Sequence, residues 1–173
     1  MIILVLGGTR SGKSVTAETI ARSFGQPVTY VATAIVDPAD KGHRARIAAH
    51  QARRPEHWTT VECAKPSDLA RHLRTLSRVV LVDSLGTWVT QHRDLIIEPA
   101  DLLDALEHRT DPTVIVSEEV GLAVHPPTEA GRRYVDATGA LNQQVARIAD
   151  RVLFVVAGRT IELPPPKTRG HSR

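Results

Sequence analysis

The run Gly7-Gly8-Thr9-Arg10-Ser11-Gly12-Lys13-Ser14 has the spacing G-x-x-x-x-G-K-[ST], with an apolar stretch before it and a helical pattern, Val15–Arg22, after it. These residue types in this order bind the phosphates of a nucleotide. The glycines let the backbone pass close to a phosphate with its N–H groups turned inward, and the following helix N-terminus adds a favourable field. Lys13 is then placed to reach the β- and γ-phosphates, and Ser14 to offer its hydroxyl to Mg²⁺.

Phosphate chemistry of this kind also needs an acid. Val79-Val80-Leu81-Val82-Asp83 is an apolar strand ending in one, which makes Asp83 the partner of Ser14 in holding Mg²⁺. Val114-Ile115-Val116-Ser117-Glu118-Glu119 is a second apolar run ending in acids. Either glutamate suits a metal or the orientation of a nucleophile, and either equally suits a structural cap. A third candidate is histidine. In the stretch Arg44–Pro55, helical spacing puts Arg46, His50 and Arg53 on one face. A neutral imidazole is a nucleophile toward phosphorus or a general base, and guanidinium groups beside it favour that form and attract a triphosphate. The same spacing equally describes a solvated basic helix face. The residues alone therefore lead to a small phosphotransferase with a phosphate loop.

Positioning these groups requires strands that deliver loops to one edge. Strands are expected at Ile2–Leu6, Val28–Ala32, Thr59–Glu62, Val79–Val82, Thr113–Ser117 and Val152–Ala157, with an edge piece at Thr160–Leu163. Several are continuous apolar runs, the pattern of strands covered on both faces in a parallel sheet. Helices are expected at Lys13–Phe24, Asp40–Arg53, Ser67–Leu76, Pro99–His108 and Ala130–Ala149. Strand–helix alternation of this kind gives a three-layer α/β domain, here residues 1–163, followed by a Pro-rich basic tail, 164–173, expected to be disordered. The loop Gly121–Glu129, with its adjacent prolines, is long enough to sit over a site.

Composition narrows the function classes. The 173 residues are 42% hydrophobic and 24% charged, ordinary for a globular protein. The net charge of +3 is accounted for by Lys167, Arg169 and Arg173 in the tail, so the body is balanced. With only two each of Trp, Tyr and Phe, there is no base-stacking surface, and a nucleic-acid partner is not expected. Cys63 stands alone, which excludes an internal disulfide and a cysteine-based zinc site. There is no run of about 18 apolar residues to span a membrane, and no signal peptide, so the chain reads as cytoplasmic.

Further motifs join these in order: Tyr30-Val31-Ala32-Thr33-Ala34, Arg46-Ile47-x-x-His50 with Arg54-Pro55, Trp58, Thr60 and Glu62, Val82-Asp83-Ser84-Leu85, and Glu119-Val120-Gly121. Gly131-Arg132, Asp136, Leu141-Asn142-Gln143 and Ala149-Asp150 follow. From Met1 to about Leu163 the chain resembles the bifunctional adenosylcobinamide kinase / adenosylcobinamide-phosphate guanylyltransferase family of cobalamin biosynthesis.

The resemblance implies a RecA-like P-loop fold and two activities. One phosphorylates the aminopropanol hydroxyl of adenosylcobinamide with ATP or GTP. The other transfers GMP from GTP onto adenosylcobinamide phosphate, through a guanylyl-histidine that here would be His50, and releases pyrophosphate. Nucleotide contacts carried over from the family are Gly7–Ser14, Ala32, Thr33, Ala34, His50, Gln51, Ala52, Arg53, Glu62 and Asp83, with Ser14 and Asp83 toward Mg²⁺. Glu62 suits guanine, because one carboxylate accepts from N1–H and the 2-amino group together. A homo-oligomer is also implied, with a trimer as one candidate. The family often has Asn where this chain has Glu118, and the loop after Gly121 departs from the family's Gly-Ile-Val-Pro-Glu. Two other readings start from the same residues. One is a small-molecule P-loop kinase without nucleotidyl transfer. The other is a non-catalytic nucleotide-binding protein whose basic tail recruits a partner.

Overall fold

Apolar runs without alternation become strands covered on both faces, and here they build one sheet. The computed structural model describes residues 1–35, 54–122 and 124–166. In chain order the elements are β1 (Ile2–Gly7), α1 (Lys13–Ser23), β2 (Val28–Ala32), β3 (Thr59–Glu62), α2 (Ser67–Thr75), β4 (Val79–Asp83) and α3 (Leu85–Val89). A 3₁₀ turn at Arg93–Leu95 leads to α4 (Ala100–Glu107), β5 (Thr113–Glu118), α5 (Glu129–Ile148), β6 (Arg151–Val156) and β7 (Arg159–Leu163). The helix expected at Asp40–Arg53 lies outside the described residues, as do Ala123 and the tail from Lys167 onward.

The seven strands lie in the order β3-β2-β4-β5-β1-β6-β7. All neighbouring pairs are parallel except β6 with β7. That exception follows from the two-residue turn Ala157-Gly158, where both residues have positive φ (51° and 73°), the geometry that matches the twist of a hairpin.

Helices cover both faces, giving the expected three-layer α/β architecture. On one face Ala17 and Ala21 of α1 pack with Trp58 against Ile3, Val5, Tyr30, Leu81, Val114 and Val116. On the other, residues of α2, α3, α4 and α5 pack against Leu4, Val31, Val80, Val82 and Ile115. The central strands are almost dry, with Leu4, Val5, Val80 and Val116 all at 0% exposure, which is why their sequences show no polar alternation. Among the described residues, no helix is long and apolar enough to cross a membrane.

The strand order does the positioning. Because β3, β2, β4, β5 and β1 are parallel, their C-terminal ends share one edge of the sheet. Along it stand Glu62, Ala32, Asp83, Glu118 and Gly7, in that order. Open α/β sheets take their ligands at this edge.

Candidate active site

The phosphate loop closes the end of β1. Its turn is held by Ser11 N–H donating to Gly8 O (3.2 Å), and by Gly158 N–H donating to Ser11 O (2.8 Å) from the β6–β7 hairpin. Two of the glycines are required by this geometry. A Cβ at Gly7 would strike the Ser11 hydroxyl and stand 2.8 Å from Val155 O. Gly12 has φ +96°, left-handed backbone that L side chains avoid, and it hands the chain directly into α1. Lys13 N–H donates to Ser11 Oγ (3.3 Å), and the Lys13 ammonium donates to Gly8 O (3.4 Å). Thr9 and Arg10 are exposed at the tip of the loop, and Ser14 is half-buried in the first turn of α1.

Among the described residues, the carboxylate paired with this lysine is Glu118. Its Oε1 lies 3.7 Å from Lys13 Nζ, and Ser84 Oγ is 3.0 Å from each of its two oxygens. The contact depends on β5 lying beside β1, where Gly7 and Glu118 are register partners. Asn142 of α5 supports the same strand end, its amide donating to Glu118 O (2.9 Å) while its Oδ1 accepts from Ser117 Oγ (2.6 Å). Glu119 turns the other way. Its backbone N–H donates to Gly7 O (3.1 Å), and its carboxylate accepts from the N–H groups of Gly121 (2.7 Å) and Leu122 (3.3 Å), fastening the start of the following loop.

Asp83 stands one strand further along. Its Oδ2 accepts from the Tyr30 hydroxyl at 2.7 Å, and the Arg54 guanidinium lies 3.3 Å over the Tyr30 ring. Burial first, and then the Asp83 charge, push the Tyr30 phenol well above its ordinary range, while Arg54 acts in the opposite sense. Arg54 also donates to Thr60 Oγ1 (3.2 Å) on β3. Thr33 is fully buried, and its hydroxyl accepts from Ser84 N–H (2.8 Å). Gln91 ties the ends of β2 and β3 by donating to Thr33 O (2.5 Å) and Cys63 O (3.0 Å). Ala32 and Ala34 are half-buried beside this network, and Glu62 is exposed as the register partner of Ala32.

The structure thus gathers Gly7–Ser14, Ala32–Ala34, Glu62 and Asp83 on one edge of the sheet. His50, Gln51, Ala52 and Arg53 lie outside the described residues. Sequence reasoning missed that Ser84, Tyr30 and Gln91 fix the strand ends: Tyr30 and Ser84 stand in the quoted motifs without that task, and Gln91 stands in none. A separate hollow of about 550 Å³, lined by Arg74, Asp104, His108 and Arg109 among others, sits at the opposite ends of β4 and β5.

No three His, Cys, Asp or Glu side chains converge among the described residues to hold a metal by themselves. The oxygen donors on this edge are Ser14 Oγ at the phosphate loop, Glu118 beside Lys13, and Asp83 one strand further along. This sparse oxygen set fits Mg²⁺, which keeps waters and takes phosphate oxygens as further ligands.

A structural neighbour shares the architecture. The flagellar accessory protein FlaH from Methanocaldococcus jannaschii superposes with a TM-score of 0.54 at 14% identity, covering 92% of this chain and 74% of its own. At the level of sequence, the chain is 43% identical over 172 residues to the bifunctional adenosylcobalamin biosynthesis protein CobP of Pseudomonas aeruginosa, covering 94% of this chain and 95% of that protein. It is 33% identical over 183 residues to the bifunctional adenosylcobalamin biosynthesis protein CobU of Escherichia coli, covering 94% and 99%. The family model for cobinamide kinase / cobinamide phosphate guanyltransferase matches residues 3–163, from the first strand through the phosphate loop and every strand-end acid to β7. This chain belongs to that family of cobalamin-biosynthesis transferases.

Proposed function

We propose that this protein phosphorylates the aminopropanol hydroxyl of adenosylcobinamide with ATP or GTP, and then transfers GMP from GTP to the resulting phosphate. The observation that carries the reading is the phosphate loop, with Lys13 Nζ within reach of Gly8 O and Glu118, in a chain matched by the kinase / guanyltransferase family along residues 3–163.

In the kinase step Gly7–Ser14 wraps the triphosphate, and Lys13 exchanges its present acceptors for β- and γ-phosphate oxygens. Mg²⁺, when bound, neutralises charge on those oxygens. Ser14, Asp83 and Glu118 are the residues that would hold it. The acceptor hydroxyl oxygen then bonds to the γ-phosphorus as the bond from that phosphorus to the β,γ-bridging oxygen breaks; ADP or GDP leaves, and the hydroxyl proton passes to water.

In the transfer step the His50 imidazole attacks the α-phosphorus of GTP. A P–N bond forms and the bond to pyrophosphate breaks. An oxygen of adenosylcobinamide phosphate then attacks the same phosphorus, the P–N bond breaks, and adenosylcobinamide-GDP is released with His50 restored. Two displacements suit a bulky acceptor, which need not share the site with the leaving pyrophosphate. Glu62, exposed on the same sheet edge, is the guanine contact in this reading, with Ala32–Ala34 and Gln51–Arg53 completing the nucleotide site. The working unit is residues 1–163 in a homo-oligomer, and the tail takes no part in the chemistry.

Product analysis tests the reading. With adenosylcobinamide, GTP and Mg²⁺, adenosylcobinamide-GDP and pyrophosphate should form. Accumulation of adenosylcobinamide phosphate alone would leave a kinase without nucleotidyl transfer.

A further inference from the structure

We propose that Glu118 makes nucleotide binding at the phosphate loop depend on a divalent cation: its carboxylate holds the Lys13 ammonium, opposes a bare triphosphate and accepts a cation-bound one. The inference rests on the reading that this loop takes a nucleoside triphosphate.

The carboxylate is seated with unusual care. Ser84 Oγ stands 3.0 Å from both of its oxygens, so the side chain is held from the next strand while one oxygen faces Lys13 Nζ at 3.7 Å. Position 86 is kept clear for it. A Cβ on Gly86 would collide with the Glu118 carboxylate and stand 2.5 Å from the Tyr134 hydroxyl. A strand cap would need none of this convergence.

The pair is also shielded. Lys13 is 13% exposed and Glu118 25%, so bulk salt screens their interaction weakly. A triphosphate arriving alone must take Lys13 from Glu118 and then lie beside a carboxylate of like charge. At the effective dielectric of a partly buried site, like charges at such range shift a binding equilibrium by about tenfold or more. A divalent cation on the phosphates reverses the sign, because Glu118 then gains a partner as it releases the lysine.

The experiment is calorimetric titration of the whole chain with GTP, once in Mg²⁺ and once in EDTA. The wild type should bind far more tightly in Mg²⁺. Glu118→Gln should bind GTP in EDTA about tenfold more tightly than wild type, and its Mg²⁺ advantage should shrink by about tenfold or more. Glu118→Asn is a second neutral variant that must agree, so the loss of one variant to misfolding leaves the test intact. Glu118→Asp keeps the charge and should keep most of the wild-type ratio. A folded neutral variant with the wild-type ratio overturns the inference and leaves the functional reading standing. A wild type that binds no GTP in either buffer overturns both.

Discussion

The Tyr30 hydroxyl donates to Asp83 Oδ2 at 2.7 Å, from the strand next to the one that ends in the acid. The bond fixes the direction of a carboxylate at the ligand edge of the sheet, and Arg54 covers the tyrosine ring from outside. Asp83 is therefore oriented from β2 as well as by its own strand. Tyr30→Phe removes one hydrogen bond to a charged group and should cost about 1.5–3 kcal/mol of stability. The half-saturating Mg²⁺ concentration of the kinase step should also rise. Denaturant unfolding and a Mg²⁺ titration check the two effects, and an unchanged Mg²⁺ requirement would separate Tyr30 from the metal site.

Glycines in the phosphate loop are not interchangeable. A methyl group at Gly7 meets the Ser11 hydroxyl and the Val155 carbonyl, whereas at Gly8 nothing lies within 4 Å. Gly7→Ala should lower stability by roughly 1–3 kcal/mol through overpacking and weaken nucleotide binding as the loop shifts. Gly8→Ala should leave the melting temperature close to wild type. Thermal melts of the two variants side by side decide the point.

The N-terminal region of α2 carries a pH-dependent clamp. Asp68 accepts from Arg71 Nη2 (3.0 Å) and from the N–H groups of Ala64 (3.1 Å) and Lys65 (3.2 Å). The Arg71 hydrogen bond, above all, holds its carboxyl below the ordinary range, with the backbone donors helping and burial opposing. A carboxyl depressed in the folded state stabilises the fold above its unfolded pKa, about 3.9, and that contribution is lost as pH falls through the lower folded value. Asp68→Asn should therefore be less stable than wild type at pH 7, with the gap closing as pH drops below about 4. Stability curves over pH 2–8 would show a gap that narrows toward acid, and a constant gap would contradict the assignment.

Guanine choice is assigned to Glu62. Glu62→Gln keeps the size of the side chain and loses the paired acceptor, so discrimination against ATP in the transfer step should fall by about tenfold or more. Competition between GTP and ATP for that step measures it, and unchanged discrimination would move guanine recognition elsewhere.

The sequence made some of this legible and hid the rest for a physical reason. The phosphate loop is local: eight consecutive residues carry it, with Gly7 where a Cβ would clash and Gly12 where the backbone is left-handed. The parallel strands announced themselves as apolar runs, and their ends fell within a residue or two of expectation. The Lys13–Glu118 contact was not legible, because it joins residues that meet only when β5 lies beside β1. Glu118 was visible as an acid at a strand end, but its partner was not. Helix α3 escaped notice because Leu85–Val89 is too short to show a period, although Ser84 caps it by accepting from Thr87 N–H. The β6–β7 hairpin was seen as an edge piece, without the positive-φ turn whose Gly158 N–H holds the phosphate loop.

The central claim is that His50 carries GMP between GTP and the acceptor. Purified protein should be incubated with Mg²⁺ and GTP labelled at the α-phosphate, beside GTP labelled at the γ-phosphate and a His50→Ala control. The account predicts label retained from the α position only, stable to alkali, labile to acid and missing from the variant, as a phosphoramidate requires. A folded wild type that binds GTP and phosphorylates adenosylcobinamide but retains no label would contradict it.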